Sequence, residues 1–253
     1  MDDALENQHF SMVYQPLLCM QTSKLLGFEA LVRCQSPEFG FISPEFFIPH
    51  TEESGRIIPL GNWIYRTTLL DLKRFHQYGF SDLTMSINVS PVQLKEPGFY
   101  EQVMSCISEL QLSPKNIKLE LTETALIKDP QVVSRVLEAF MNAGVKIWID
   151  DFGTGFASLS LLRKFNVDGL KIDKSFVDGI CDSNEDFTLC SAIIAMAQRL
   201  DLDVVAEGIE DETQLQILSQ LGCEVGQGYL LGKPNSFSKN LDIWSEKSID
   251  LTA

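Results

Sequence analysis

Short apolar runs alternate with longer amphipathic stretches along almost the whole chain. The runs Met12–Leu17, Leu25–Val32, Leu83–Val89, Ile117–Leu121, Val145–Asp150, Gly169–Ile172, Asp203–Ala206 and, more weakly, Cys223–Gly226 have the length and apolar content of strands. Between them the spacing predicts helices over about Leu60–Tyr78, Phe99–Leu110, Ser158–Phe165 and Phe187–Leu200. Two more helices have readable ends. Asp129 can cap a helix with Pro130 at its first position and a stop at Gly144, and Asp211 can cap Glu212–Leu221 with Gly222 just beyond. Eight strands alternating with helices point to an α/β chain folded as a (β/α)8 barrel rather than an open doubly wound sheet. Leu18–Lys24 is too short for a crossover helix, so the first two strands form a hairpin and the first runs antiparallel to the rest. The expectation is a single domain over 1–253 with its core at about 10–234. Residues 235–253 read as a tail or linker, although Leu241, Ile243 and Trp244 give a short helix something to dock.

Composition narrows the partners. The 253 residues carry 35 acidic and 20 basic side chains, a formal charge of −15, which argues against long nucleic acid or an anionic membrane meeting a broad basic face. A small anion remains possible where a metal or a few placed cations cancel the local field. Cys19, Cys34, Cys106, Cys181, Cys190 and Cys223 show no CxxC pair and His9, His50 and His76 stand alone, so a zinc site of the usual type is not expected. The acidic start, Met1-Asp2-Asp3-Ala4-Leu5-Glu6, lacks the features of a signal peptide, and no apolar run reaches membrane-spanning length. A cytoplasmic domain with reduced thiols is expected.

The polar residues gather where a barrel places its chemistry, at the carboxyl ends of the strands. Glu29 lies late in the second run, Asn88 ends the third, Glu120 and Glu123 the fourth, and Asp150 and Asp151 the fifth. Lys171 and Asp173 follow on the sixth, Glu207 on the seventh and Gln227 on the eighth. Strand alternation puts Glu29, Leu31 and Arg33 on one face and Lys171 with Asp173 on another. One strand-end aspartate is ordinarily a cap or loop residue; seven successive strands each delivering a polar side chain to one rim is a pattern. Glu29, Asn88, Glu120, Asp150 and Asp151 are hard oxygen donors with no imidazole or thiolate among them, which suits Mg2+ or Mn2+. Adjacent Asp150 and Asp151 allow one carboxylate to bridge two ions, the arrangement for in-line displacement at a phosphodiester.

These residues stand in motifs that resemble the EAL-domain cyclic di-GMP phosphodiesterases. The family triplet is Glu29-Ala30-Leu31. Matching segments run from Tyr14-Gln15-Pro16 through Asn88-Val89-Ser90, Glu120-Leu121-Thr122-Glu123, Asp150-Asp151-Phe152-Gly153-Thr154-Gly155, Lys171-Ile172-Asp173 and Glu207-Gly208-Ile209-Glu210 to Gln227-Gly228-Tyr229. The resemblance implies a modified TIM barrel that opens cyclic di-GMP to linear pGpG with two divalent ions. By the same resemblance Glu29, Asn88, Glu120, Asp150 and Asp151 are the metal set, with Glu29, Asp150 and Asp151 also counted as catalytic. Lys171 matches the lysine that holds the attacking water, and Glu207 the general base or second-metal support. Arg33, Asp173, Gln227 and Gln15 fall on the substrate side. Glu123 matches the anchor of the loop Asp151–Ser158 after the fifth strand, through which family members form homodimers. Sensory or GGDEF modules are the usual neighbours of such domains. Cys34, His50-Thr51 and Phe156-Ala157 depart from the usual family residues, and none of them removes a ligand.

The competing readings are an inactive EAL-type receptor that binds cyclic di-GMP without cutting it, another metal-dependent barrel hydrolase or lyase, and a purely structural role. Receptors typically lose part of the carboxylate set or the loop glycines, and here all are present. A structural role leaves the polar rim without a cause.

Overall fold

A computed structural model describes residues 9–127, 130–154, 162 and 164–250. Its strands are β1 (Phe10–Cys19), β2 (Leu25–Ser36), β3 (Gly40–Ile42), β4 (Thr84–Asn88), β5 (Ile117–Thr122), β6 (Lys146–Phe152), β7 (Gly169–Ile172), β8 (Asp203–Ala206) and β9 (Val225–Gly226). They hydrogen-bond in the order β1-β9-β8-β7-β6-β5-β4-β2, and a β1–β2 pairing closes the ring. The result is an eight-stranded α/β barrel. β1 is antiparallel to both neighbours, β2 and β9, as the short link over residues 20–24 requires.

β3 is an addition that the apolar pattern missed. β2 runs beyond Val32 to Ser36, the chain turns, and Gly40–Ile42 folds back so that Cys34 faces Ile42 and Ser36 faces Gly40. Its three residues sit in a glycine- and proline-rich stretch with no alternation to read. The strand expected fifth is therefore β6. Helices cover Ile57–Gln77, Phe99–Glu109, Pro130–Asn142, Asn184–Arg199 and Glu212–Gln220 close to expectation. Asp211 caps the last of these, accepting from the backbone N–H groups of Thr213 and Gln214, while Gln214 completes a reciprocal capping pair. Gly144 and Gly222 leave their helices with φ of 93° and 88°, a conformation that favours glycine. The expected cap Asp129 and most of the expected Ser158–Phe165 helix lie outside the described residues. The helices Pro44–Glu53, Pro91–Leu94, Glu123–Ile127 and Lys174–Asp178 escaped the sequence pattern because each is short or interrupted by proline. A last helix, Phe237–Asp250, docks on β1: Trp244 is buried, and Asn240 Nδ2 donates to the Tyr14 carbonyl at 2.8 Å. All six cysteines are free thiols. Among the described residues no helix is long and apolar enough to cross a membrane.

The principal core lies between the strands and the surrounding helices. A second, separate cluster of Leu17, Trp148 and Val205, with Val225 packed against it, fills the barrel itself. Gly169 makes room for it, since a Cβ there would stand 2.8 Å from the Trp148 ring. The Lys118 ammonium lies 4.3 Å from the Trp148 ring centroid, at the amino-terminal mouth.

Candidate active site

Along a strand every second residue faces the barrel interior. Two residues beyond the apolar plug, each parallel strand therefore places another side chain inside, nearer the carboxyl-end rim. Trp148 is followed by Asp150, Gly169 by Lys171, Val205 by Glu207 and Val225 by Gln227. On β1, which runs the other way, the residue above Leu17 is Gln15, paired across the hairpin with Glu29. Glu120, opposite Trp148 in register, and Asn88, opposite Glu120, complete the ring.

Lys171 stands at its centre, 1% exposed. Its Nζ lies 3.2 Å from Glu29 Oε2, 2.9 Å from Glu120 Oε2 and 3.1 Å from Asp150 Oδ1, and it also pairs with Glu207 Oε1. Glu29 is held on its other sides by Asn88 Nδ2 and Gln227 Nε2, each donating at 2.7 Å. Gln227 Nε2 also donates to Gln15 Oε1 at 3.1 Å, and Gln15 Nε2 donates to the Gly232 carbonyl. Two carboxylate trios bring one oxygen from each member within 4.8 Å of the others: Glu29, Glu120 and Asp150, and Asp150, Asp151 and Glu207.

Asp150 and Asp151 share the second trio although neighbours on a strand point to opposite faces. The β6–β7 ladder is irregular between Ile149 and Phe152, and Asp151 has a left-handed φ of 52°. The bulge turns the second aspartate back toward the first. Aspartate is among the few residues other than glycine that visit this region readily.

Burial shapes the electrostatics. It pushes Glu120 up to about 7, with the charges of Glu29 and Asp150 adding to it and Lys171 opposing. It likewise pushes Asp151 up to about 6, helped by Asp150 and Asp173. Burial and the neighbouring Asp150 and Glu29 also raise Glu207 well above the carboxylate range. Burial acts on Glu29 too, but Lys171 and the donors Gln227 and Asn88 outweigh it and hold the group below its usual value. Lys171 is pushed well above the usual amine value by its carboxylates despite burial.

The remaining sequence candidates sit around this centre. Glu123 Oε1 accepts from the Gly153 backbone N–H at 2.7 Å, gripping the start of the loop after β6; Gly155–Ser158 of that loop lie outside the described residues. Arg33 lines a cleft of about 730 Å3 with Asn88, Glu120, Asp150 and Asp151, its Nη1 donating to the Val32 carbonyl. Asp173 is not among the carboxylates that touch Lys171. It caps the helix Lys174–Asp178, one oxygen accepting from the backbone and hydroxyl of Ser175. No pattern in the chain marks Glu52, which lines the same cleft and accepts from the Ser90 hydroxyl at 2.5 Å. Nor does any pattern single out Lys174 and Tyr229, which line an adjoining cleft of about 280 Å3 with Lys171, Glu207 and Gln227. Glu52 lies on a proline-interrupted helix, Lys174 opens a helix of only five residues and Tyr229 lies in a turn, so no periodicity marked them.

A divalent ion fits this donor set. Every anionic group is a hard oxygen, and Gln227 Oε1 is a buried acceptor with no hydrogen-bond partner. Residues 1–234 match the family described as EAL domain. Over 231 residues, 91% of this chain, it is 35% identical to the bifunctional diguanylate cyclase/cyclic di-GMP phosphodiesterase MucR of Pseudomonas aeruginosa and 37% identical to the cyclic di-GMP phosphodiesterase PdeR of Escherichia coli. It covers 34% and 35% of those proteins, and spans about a third of the length of the curated relatives it matches. A solved structure described as PaMucR phosphodiesterase, c-di-GMP complex, superposes with a TM-score of 0.90 at 34% identity, covering 94% of this chain and 96% of that one.

Proposed function

The chain belongs to the EAL-domain family, and from that premise we propose that it is a phosphodiesterase that opens cyclic di-GMP to linear pGpG and so lowers the second messenger in bacterial signalling. The observation that carries the reading is the complete carboxylate cage, with Glu29, Glu120, Asp150 and Glu207 on Lys171 and Asp151 joining them at the rim. Five carboxylates facing one ammonium leave four negative charges, the charge of two divalent cations, so two Mg2+ or Mn2+ ions are the natural complement. When bound, such ions supply Lewis acidity and charge neutralisation at a phosphodiester.

The chain's own residues divide the remaining work. Glu29, Glu120, Asp150 and Asp151 hold the ions, and Asn88, whose amide N–H2 is spent on Glu29, has its carbonyl oxygen left for the same purpose. Glu207, made more basic by burial, is placed to accept the proton that the attacking water releases, as general base. Lys171 supplies a positive charge beside that water. Arg33 brings a guanidinium to the larger cleft, where it can grip a phosphate oxygen. Gln227 fixes Glu29 from behind and is itself held by Gln15, both lining the smaller cleft, and Asp173 holds the rim at the start of the following helix.

Homodimerisation through the loop after β6 is part of this reading, supported by the grip of Glu123 on Gly153. So are sensory or GGDEF modules beside the domain, supported by relatives about three times as long. The domain unit is taken as 1–253, with the core at about 10–234 and the segment beyond it packed on β1 through its helix. Six free thiols fit a reducing cytoplasm.

Incubation with cyclic di-GMP and Mg2+ or Mn2+, followed by chromatographic separation of cyclic dinucleotide, pGpG and GMP, tests the activity. Accumulating pGpG is expected, with Ca2+ a poor substitute because of its larger radius. Metal-replete protein that binds the dinucleotide and yields no pGpG would instead be a receptor.

A further inference from the structure

Lys171 does more in this structure than a residue reserved for the reaction would need to do. Its ammonium touches all three members of one carboxylate trio, Glu29, Glu120 and Asp150, and also Glu207 of the other. It therefore occupies the point on which both groups of candidate metal ligands converge. An ammonium has three protons to donate, and here four carboxylates compete for them. The lysine is over-subscribed, so withdrawal from any one partner loses less than a hydrogen bond in a matched pair would.

We infer that Lys171 is the resident counter-cation of the metal-free site, and that divalent ions load by displacing its ammonium from the carboxylates. The inference rests on the reading of this cage as a divalent-ion site. Its physical basis is the cost of the alternative. Buried carboxylates a few ångströms apart repel strongly in a medium that screens poorly, so a site without metal must take up protons, splay open or hold a cation of its own. Lysine is suited to the last course. It is a compact charge on a flexible four-carbon stem, and its head can retract while the backbone of β7 stays in place. The adjoining cleft of about 280 Å3, which Lys171 itself lines with Lys174, Glu210 and Tyr229, gives that head somewhere to go.

Two consequences follow for metal affinity. The cage is assembled before metal arrives, so loading does not carry the full cost of gathering like charges. In return, the ions must compete with the lysine, and the apparent affinity is lowered by the fraction of protein in which the lysine holds the site. The lysine thus sets both the order of the empty cage and the metal concentration at which it fills.

The test is calorimetric titration of Mg2+ into chelator-treated wild-type protein and into Lys171→Met, which keeps an apolar stem and removes the charge. With the competitor gone, the variant is expected to bind Mg2+ about tenfold more tightly, the change anticipated if the lysine-held form outweighs the open form by about ten to one. It is also expected to unfold at a lower temperature than wild type when metal-free, a gap that saturating Mg2+ closes. Unchanged or weaker Mg2+ binding by the variant, with wild-type binding intact, overturns the inference. Wild-type protein that takes up no Mg2+ at all is a different failure, because it removes the metal-site reading itself. Should Lys171→Met not fold, 15N-lysine-labelled wild type decides. A Lys171 ammonium signal protected from exchange without metal should shift and lose protection as Mg2+ saturates, and a signal unchanged at saturation overturns the displacement.

Discussion

The barrel interior has two storeys built by the same strands. On the lower one Leu17, Trp148, Val205 and Val225 pack as a dry plug. On the upper one, two residues further toward the rim, Asp150, Lys171, Glu207 and Gln227 join Glu29 and Glu120 in a cage of charge. One step of strand alternation therefore separates a layer that holds the fold from a layer that strains it. On the upper storey burial, reinforced by neighbouring carboxylates, raises Glu120 and Asp151 above ordinary carboxylates.

Emptying the lower storey should break the contrast most severely. Trp148 is 1% exposed and among the largest fully buried side chains, so Trp148→Ala is expected to cost about 3–5 kcal/mol of stability, measured by denaturant unfolding. It should depress turnover only through the loss of folded protein. A stable Trp148→Ala with a crippled site would show that the plug acts on chemistry rather than on the fold.

The upper storey should answer in the opposite way. Asp150 belongs to both carboxylate trios, and Asp150→Asn is expected to lower kcat for cyclic di-GMP by about 10²–10³-fold, the scale for losing one electrostatic stabiliser. Because it relieves repulsion in the cage, the unfolding midpoint of the metal-free variant should not fall. A large loss of stability with turnover preserved would reverse the assignment of the two layers.

The smallest effect is on pH. Unfolded carboxylates titrate near 4, whereas folded Glu120 and Asp151 keep their protons up to about 7 and about 6. Between those limits the unfolded chain has already released protons that the folded chain retains, so these groups make stability fall as pH rises. Glu29, held low, contributes nothing in that window because it is ionised in both states. Metal-free protein should therefore lose melting temperature between about pH 5 and 7, and saturating Mg2+ should flatten the slope. A midpoint that rises over the same interval would mean the cage is already ionised at pH 5.

Most of this arrangement was legible in the chain because a parallel strand has one carboxyl end and its polar terminal residue must reach the rim. Lys171, Glu207, Asp150 and Glu120 follow from that rule alone, and the five-residue link after β1 fixes the reversed first strand. What could not be read depends on geometry that alternation does not encode. Asp151 should have pointed away from Asp150; a bulge and a left-handed backbone turn it back. Alternation pairs Asp173 with Lys171, but the strand ends at Ile172 and the Asp173 side chain caps the helix Lys174–Asp178, a contact that spacing does not encode. Glu52 and the strand β3 belong to a segment whose prolines and glycines erase periodicity. The central place of Lys171 among four carboxylates is a matter of side-chain reach, on which spacing is silent.

The reversed first strand has a consequence for how the barrel is wired to whatever adjoins it. In an all-parallel barrel the chain enters at the face opposite the chemistry. Here Phe10 pairs with Cys34 near the carboxyl end of β2, and the Gln35 N–H donates to the His9 carbonyl just before it, so the chain enters at the rim that carries the carboxylates and descends past Gln15 to Leu17. A pull or twist applied at residue 9 is delivered first to the rim and then, two hydrogen bonds on, through Gln15 and Gln227 to Glu29. The entry point is a handle mounted on the mouth of the site.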